Sequence, residues 1–247
     1  MAKIIKGLFP SFEKKENTVT AIIAAGGSGS RMGIDFNKLF LSIDESPIIA
    51  YTLDAFENCR EVDDIIIVAS EKDFAFVKEI VEAFGYEKVT SIVTGGATRQ
   101  ESVRRGLSAL SDECDIVLIH DGARPLVTTQ SIASCIEETR ENGAAALGTR
   151  VKDTIKLADE DGFIKDTVPR ENLYLIQTPQ GFNRNLIVDA HNYATQNNLD
   201  ATDDCKLVEA LGKKVTIVPS ESSNIKLTTP DDYFIISALL AYRGDFE

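Results

Sequence analysis

Short apolar runs rich in β-branched residues alternate with helical segments along most of this chain, and this alternation constrains the fold more than any other feature. The apolar runs are residues 18–25, 63–70, 88–94, 114–120 and 143–149. The segments between them have helical apolar spacing, and they are residues 47–59, 72–85, 98–110 and 128–143. Runs without polar alternation are typical of strands buried in a parallel sheet. The order predicts an α/β fold with a mostly parallel, Rossmann-like sheet flanked by helices.

Residues 150–170 break this rhythm, because two short, mainly polar β runs surround the turn sequence DEDG. A hairpin so poor in core residues is marginal alone, so we expect a projecting β-hairpin arm that leans on another surface, such as a second subunit. The remaining pattern predicts helices at 183–196 and 203–212, a strand at 213–220 and a last helix from residue 228. We therefore predict an N-terminal extension (1–17) and a single domain (18–247) with a dimerisation arm at about 150–170.

The composition disfavours several classes of protein. The net charge of −13 argues against nucleic-acid binding, although a small anionic ligand responds to the cations near it. No apolar run approaches the roughly 20 residues of a membrane helix, and the N-terminus lacks the features of a secretory signal. The four cysteines lack metal-site spacing and the chain has two histidines, so we expect reduced thiols and no multi-histidine metal site. These features predict a soluble, cytoplasmic protein.

A glycine-rich loop, AAGGSGSRMG at 24–33, follows the first predicted strand. Its glycines allow backbone N–H groups to approach phosphate oxygens closely. The loop lacks the Gly-Lys-Ser/Thr of a Walker loop, its dinucleotide pattern G-x-G-x-x-G fails at Met32, and a nucleophile elbow fails at Ser30. Arg31 and, seven residues later, Lys38 are candidate phosphate-binding cations, although a flexible turn with solvated cations also fits this loop.

Two more loops lie at predicted carboxyl ends of strands, where ligands bind in parallel α/β sheets. In TGGATRQESV (94–103), the glycines permit close backbone approach, and Arg99 can contact a ligand or pair with an acid. In IHDGARPLV (119–127), Asp121 can hold Mg²⁺, which prefers oxygen ligands, or can cap the loop. Arg124 of the same loop can reach an anionic oxygen.

Two late segments add further candidates. In ATDDCKLVEA (201–210), Thr202 and the aspartates after it are sufficiently explained as a helix N-cap. In SSNIKLTTPDD (222–232), Lys226 lies between two apolar residues, and strand alternation would place it on the opposite face from them. Lys226 is therefore a candidate for contact with a ligand.

Taken together, these segments resemble the 2-C-methyl-D-erythritol 4-phosphate cytidylyltransferase family of the glycosyltransferase-A-like nucleotidyltransferases. The resemblance extends from about Thr18 to Ala241. It rests on AAGGSGSRMG with NKLF, TGGATRQESV, HDGARP, VKDTIK, TVPREN, QTPQGF, ATDDCKLVE and NIKLTTPDD, in family order and spacing. It implies transfer of CMP from CTP to methylerythritol phosphate, with release of pyrophosphate, in isoprenoid precursor synthesis by the non-mevalonate route.

The resemblance also implies a role for individual residues. The catalytic residues would be Arg31, Lys38, Asp121 and Lys226, with Asp121 as the ligand of a Mg²⁺ cofactor. The nucleotide-binding residues would be Ala24, Ala25, Gly26, Gly27, Gly29, Gly95, Gly96, Ala97, Arg99 and Ser102. The acceptor-binding residues would be Arg124, Thr154, Arg170, Thr178 and Thr202. Of these, Thr154 and Arg170 would reach the partner's site in a homodimer, because the family's arm crosses between subunits.

Such a transfer needs no general base, because a phosphate monoester is already largely dianionic at neutral pH. Cations and Mg²⁺ would act by positioning and electrostatics. Two alternatives stay open from the residues: a ribitol-5-phosphate cytidylyltransferase, which shares the glycine loop, and a non-catalytic nucleotide-sugar sensor on the same fold. A Rossmann oxidoreductase is disfavoured, because Ala69 and Ser70 end the second strand where an acidic residue would be needed.

Overall fold

The computed structural model describes residues 18–27, 32–33 and 35–244, so the predicted N-terminal extension lies outside the described residues. The strands are β1 (Thr18–Ala24), β2 (Ser42–Ile43), β3 (Ser46–Pro47), β4 (Asp64–Ala69), β5 (Val89–Thr94), β6 (Cys114–Asp121), β7 (Ala144–Arg150), β8 (Ile155–Ala158), β9 (Ile164–Val168), β10 (Tyr174–Asn183) and β11 (Thr216–Pro219). The α-helices are α1 (Ile48–Glu57), α2 (Phe74–Phe84), α3 (Arg99–Leu107), α4 (Thr129–Asn142), α5 (Arg184–Gln196), α6 (Asp204–Ala210) and α7 (Pro230–Gly244). Among the described residues, short 3₁₀ helices cover Lys38–Phe40 and Glu71–Asp73.

Seven of these strands form one sheet in the order β11-β7-β10-β6-β1-β4-β5. Neighbouring strands run parallel except β10, which is antiparallel to both β6 and β7. Both faces are covered, since Val19 and Ile23 of β1 belong to one apolar cluster and Ile22 belongs to another. The predicted α/β fold with a mostly parallel sheet is confirmed.

Helix α3 packs closely on one face of the sheet because it contains a glycine. A Cβ atom at Gly106 would lie 2.8 Å from Cγ2 of Ile22, a distance that a larger residue could not occupy without a shift of the helix. This glycine therefore lets α3 lie directly against Ile22 of β1 and Val68 of β4.

Strand β10 was missing from the sequence prediction. It contains Pro179, which cannot donate a hydrogen bond to a ladder and argues against a central strand. The pairing of β10 with β7 shifts register between Ile176 and Gln180, and this irregularity accommodates the proline. The strand has polar residues at 177 and 180, so its sequence lacks the apolar run that marks the other central strands.

The hairpin arm is confirmed as an antiparallel pair of β8 and β9 outside the main sheet. Its turn is fixed by a hydrogen bond from Phe163 N to Asp159 Oδ1 at 2.8 Å, and Gly162 has φ of 86°. Most of its residues are exposed, in agreement with their polar sequence.

Across residues 18–27, 32–33 and 35–244, no helix combines sufficient length with sufficient apolar character to span a bilayer.

Candidate active site

Lys38, Asp121 and Lys226 line one cavity of about 280 Å³ at the carboxyl ends of β1, β5 and β6. The described residues that line it are Ala24, Gly26, Gly27, Lys38, Leu39, Gly96, Ala97, Thr98, Arg99, Ser102, Asp121, Ala123 and Lys226. The structure thus brings together three of the four residues predicted to be catalytic. The fourth, Arg31, and the predicted Gly29 lie outside the described residues.

Asp121, the last residue of β6, is surrounded by three cations. Its Oδ2 accepts a hydrogen bond from Lys226 Nζ at 2.7 Å, and its Oδ1 accepts one from Arg99 Nε at 3.2 Å. Arg124 Nε lies 3.7 Å from Oδ2. Burial alone would raise the pKa of Asp121, but the charges of Arg99, Lys226 and Arg124 outweigh it and lower that pKa below its usual range. The carboxylate is therefore ionised and held in one orientation.

Lys38 is buried, and its neighbour Asn37 explains how it is held. The Asn37 side chain caps the 3₁₀ helix that begins at Lys38. Its Nδ2 donates to the carbonyl of Ala25 at 2.8 Å and to Asp73 Oδ2 at 3.0 Å. Lys38 Nζ donates to the carbonyl of Leu227. The lysine is thus fixed between the glycine loop and the segment that carries Lys226.

The loop between β5 and α3 is also held by its own side chains. Ser102 Oγ accepts from the N–H of Gly96 at 3.0 Å and donates to the carbonyl of Thr98 at 2.8 Å. Glu101 Oε2 accepts from the N–H of Ala97 at 2.9 Å. A Cβ atom at Gly96 would lie 2.3 Å from the Glu101 side chain, so this compact loop requires a glycine there.

Of the predicted nucleotide-binding residues that are described, most line this cavity and two do not. Ala24, Gly26, Gly27, Gly96, Ala97, Arg99 and Ser102 line it. Ala25 and Gly95 are instead anchored to β4, since Ala25 N donates to the carbonyl of Val68 and Gly95 N donates to that of Ala69. These two bonds attach the glycine loop and the loop after β5 to strand β4.

A second cavity of about 170 Å³ adjoins the first. The described residues that line it are Arg99, Asp121, Arg124, Ile176, Gln177, Thr178, Gln180, Thr202, Asp203 and Lys226. It shares Arg99, Asp121 and Lys226 with the first cavity, and it includes Arg124, Thr178 and Thr202, which were predicted to bind the acceptor. Two cavities therefore meet at one carboxylate and two cations.

Thr178 and His120 support the backbone of Asp121. Thr178 Oγ1 accepts a hydrogen bond from the N–H of Asp121 at 3.0 Å and lies 3.1 Å from His120 Nδ1. Complete burial lowers the pKa of His120 to about 3, so the imidazole is neutral. His120 is a structural support for the end of β6.

Thr154 and Arg170 lie on the exposed arm and are not among the residues that line either cavity of the same chain. Arg170 Nη1 donates to the carbonyl of Lys152 within the arm.

The family model for 2-C-methyl-D-erythritol 4-phosphate cytidylyltransferase matches residues 19–242. The chain belongs to this family. The Alkaliphilus oremlandii cytidylyltransferase is 42% identical over 227 residues, which cover 92% of this chain and 96% of that one. The Clostridium novyi cytidylyltransferase is 45% identical over 213 residues, which cover 86% and 92%. The crystal structure of 4-diphosphocytidyl-2C-methyl-D-erythritol synthase from Anaerococcus prevotii is 34% identical, with a TM-score of 0.82 and coverage of 91% and 99%.

In this cytidylyltransferase, sequence reasoning missed the amide side chains that join the acceptor-side loops. Gln180 Nε2 donates to Asp203 Oδ2 at 2.9 Å, and its Oε1 accepts from the N–H of Asp204 at 3.1 Å. Asn224 Nδ2 donates to the carbonyl of Thr178 at 3.1 Å, while the main-chain carbonyl of Asn224 accepts from Arg124 Nη1 at 2.7 Å. The available signal was a pair of amides inside otherwise conspicuous segments, QTPQGF and NIKLTTPDD.

Proposed function

We propose that this protein transfers CMP from CTP to 2-C-methyl-D-erythritol 4-phosphate, giving the CDP-methylerythritol product and pyrophosphate. One observation carries the proposal: two adjoining cavities share Arg99, Asp121 and Lys226, and the larger one also contains Lys38. A nucleoside triphosphate in one cavity and a sugar-alcohol phosphate in the other would meet at these charges. The family relationship identifies the two substrates and places the reaction in isoprenoid precursor synthesis by the non-mevalonate route.

In the reaction, an oxygen of the acceptor phosphate forms a bond to the α-phosphorus of CTP. The bond from that phosphorus to its bridging oxygen breaks, and pyrophosphate leaves with the electron pair. No proton has to be removed from the dianionic acceptor phosphate. The difficulty is the repulsion between two polyanions, which preorganised cations offset.

Each charged residue has a task in this scheme. Lys38 would neutralise the α-phosphate, and its bond to the Leu227 carbonyl keeps it in place before CTP binds. Lys226, oriented by Asp121, would neutralise the approaching acceptor phosphate. Arg31 stays a predicted phosphate ligand, since its position lies outside the described residues.

The residues present fit Mg²⁺. Asp121 supplies one ionised carboxylate at the junction of the cavities, and Mg²⁺ in phosphate-transfer sites commonly takes one or two carboxylates plus substrate phosphates. No group of three or more His, Cys, Asp or Glu side chains forms a ready cage among the described residues, so substrate phosphates would complete the coordination. When bound, the ion would neutralise phosphate charge and withdraw electron density from the α-phosphorus.

We also propose a homodimer in which the arm completes the partner's acceptor site. Leu157, Phe163 and Ile164 on the arm are 51%, 71% and 67% exposed, and burying them against a partner would be favourable. An isolated two-stranded hairpin is marginally stable, so a partner surface would also support it. A cytoplasmic location is part of the proposal, supported by four buried, free cysteines.

The alternatives are less well supported. The two relatives and the solved structure are named for methylerythritol substrates or products, which favours this acceptor over ribitol 5-phosphate. The gathering of Lys38, Asp121 and Lys226 in one cavity favours an enzyme over a non-catalytic sensor, because a sensor does not need charges placed for a transition state.

The test is a pyrophosphate-release assay that crosses CTP, UTP and ATP with methylerythritol phosphate and ribitol 5-phosphate. We expect the highest kcat/KM for CTP with methylerythritol phosphate. A higher kcat/KM with ribitol 5-phosphate would replace the proposed acceptor. Folded protein that releases no pyrophosphate with any pair would contradict the proposed transfer.

A further inference from the structure

Arg99 is held between two carboxylates that belong to different elements. It is the first residue of α3, and its Nε donates to Oδ1 of Asp121 at the end of β6, at 3.2 Å. Its Nη1 donates to Oδ2 of Asp204, the first residue of α6, at 2.7 Å. The guanidinium therefore divides its hydrogen-bond donors between the junction of the cavities and a site behind it.

Asp204 is buried at this site behind the junction. Its side chain is 1% exposed, and it is not among the residues that line either cavity. His191 Nε2 lies 3.1 Å from its Oδ1, so both carboxylate oxygens have partners. A buried carboxylate is costly unless it is paired and hydrogen-bonded, and here the pairing partner is an arginine of the active site.

The division of donors matters because a guanidinium and a carboxylate favour a bidentate arrangement. If Arg99 gave two hydrogen bonds to Asp121, both Asp121 oxygens would accept from the guanidinium, and Oδ2 would have one lone pair fewer for Lys226. As the structure stands, Oδ1 takes the bond from Arg99, while Oδ2 is left for Lys226. The attachment of Arg99 to Asp204 favours this arrangement.

We propose that Asp204 is a positioning residue for the transfer reaction: it anchors one side of Arg99 so that Asp121 keeps an oxygen for Lys226 and for the metal-bound substrates. The inference rests on the proposed function, since it concerns the same junction. It also links the nucleotide-side loop before α3 to the acceptor-side turn before α6, because Arg99 and Asp204 begin these two helices.

The first test is Asp204→Asn, which is nearly isosteric and retains an acceptor for His191. Released from a charged partner, Arg99 would pair more fully with Asp121. We expect kcat to fall roughly 10- to 100-fold, the usual size of losses from residues behind a metal ligand.

The second readout does not depend on turnover. Mn²⁺ is titrated into enzyme with CTP and no acceptor, and free Mn²⁺ is followed by electron paramagnetic resonance. We expect Asp204→Asn to weaken Mn²⁺ binding roughly tenfold. A purely structural role for Asp204 would lower the melting temperature without weakening Mn²⁺ binding or kcat, and that result would overturn the proposal.

Thr139→Val is the matched control. Thr139 is a fully buried polar residue of α4 that donates to the Cys135 carbonyl at 2.6 Å, outside the Arg99 network. It should alter the melting temperature while kcat and Mn²⁺ binding stay at wild-type values. A parallel loss of kcat in this variant would mean that lower stability alone explains the result for Asp204→Asn.

Arg99→Lys tests the connection between Asp121 and Asp204 through Arg99. It also replaces Asp204→Asn as the test if that variant does not fold. A lysine cannot reproduce the planar fork that reaches two carboxylates, so kcat should fall. The double variant Arg99→Lys/Asp204→Asn should be no slower than the slower single variant. Additive losses, or wild-type kcat in Arg99→Lys, would overturn the proposal. Failure of the wild type to release pyrophosphate would instead count against the proposed function.

Discussion

The junction of the two cavities and the hairpin arm differ in whether their side chains find partners within the same chain. At the junction, Asp121 is 7% exposed and takes hydrogen bonds from two cations of its own chain. On the arm, Phe163 is 71% exposed and lies at a turn with no apolar cover. Asp121 thus has its hydrogen-bond partners within its own chain, whereas the Phe163 side chain stays exposed to solvent.

The difference has a physical origin. Strand ends of a parallel sheet converge, so charged residues gathered there are partly desolvated and must be paired by their own chain. A two-stranded hairpin cannot cover both of its faces. The charged side chains at the junction are thus paired by their own chain, whereas the exposed apolar side chains of the arm would be covered only by the proposed partner subunit.

The largest effect should come from the junction region itself. Lys38→Ala removes a preorganised charge donor, and we expect kcat to fall roughly 10²- to 10³-fold with the fold retained. Steady-state pyrophosphate release measures kcat, and circular dichroism checks the fold. The matched control is Lys78→Ala, because Lys78 is a surface lysine of α2 with 61% side-chain exposure. Near-normal turnover in Lys38→Ala would show that Lys38 does not neutralise the α-phosphate during the transfer.

The next effect tests whether the arm serves another subunit. Arg170→Ala should raise the KM for the acceptor roughly 10- to 100-fold, the loss expected for a hydrogen bond to a charged group, and should change that for CTP far less. Lys165→Ala, on the same hairpin, is the control and should leave both constants near wild type. Equal increases in both KM values would contradict a role on the acceptor side.

Mixed dimers extend this test. A subunit with Arg170→Ala keeps Lys38 and can receive an intact arm from a Lys38→Ala partner. Mixing the two inactive or weak variants should therefore restore activity at one of the two sites. A mixture no more active than the sum of its components would place the arm's contacts within its own chain.

A smaller effect is expected from the apolar part of the arm. Phe163→Asp places a charge where we propose a subunit interface, and it should weaken dimerisation roughly tenfold or more. Sedimentation velocity over a concentration series measures this change. Phe234→Asp on α7 is the control, since Phe234 is similarly exposed at 69%. Dissociation by Phe234→Asp and not by Phe163→Asp would move the interface away from the arm.

The contrast between regions also explains what the sequence could predict. Strands such as β1 and β4 were predictable because apolar residues fill both of their faces. Strand β10 was not predictable, because Pro179 and two glutamines interrupt its apolar pattern. Its position in the sheet depends on its pairing with strands β6 and β7. The hairpin was predictable because its turn signal is local.

The same distinction holds at the site. The charged candidates Lys38, Asp121 and Lys226 stand out within segments that resemble a known family. The residues that support the site do not stand out, because their partners are distant in the chain. The main-chain carbonyl of Asn224, for example, accepts a hydrogen bond from Arg124, which is 100 positions away. Such a partnership is created by tertiary structure, and no spacing pattern reports it.

The smallest expected effect concerns Asn37, one of these unpredicted supports. Asn37→Ala removes hydrogen bonds to the Ala25 carbonyl and to Asp73, so we expect a loss of about 1–3 kcal/mol in the free energy of unfolding. Urea denaturation measures this loss. Asn58→Ala is the control, because the Asn58 amide makes an exposed bond to the Asp54 carbonyl. Because Lys38 itself remains, kcat should fall less than in Lys38→Ala. A loss of kcat as large as that of Lys38→Ala, without a loss of stability, would show that Asn37 acts directly on the substrates and is not only a structural support.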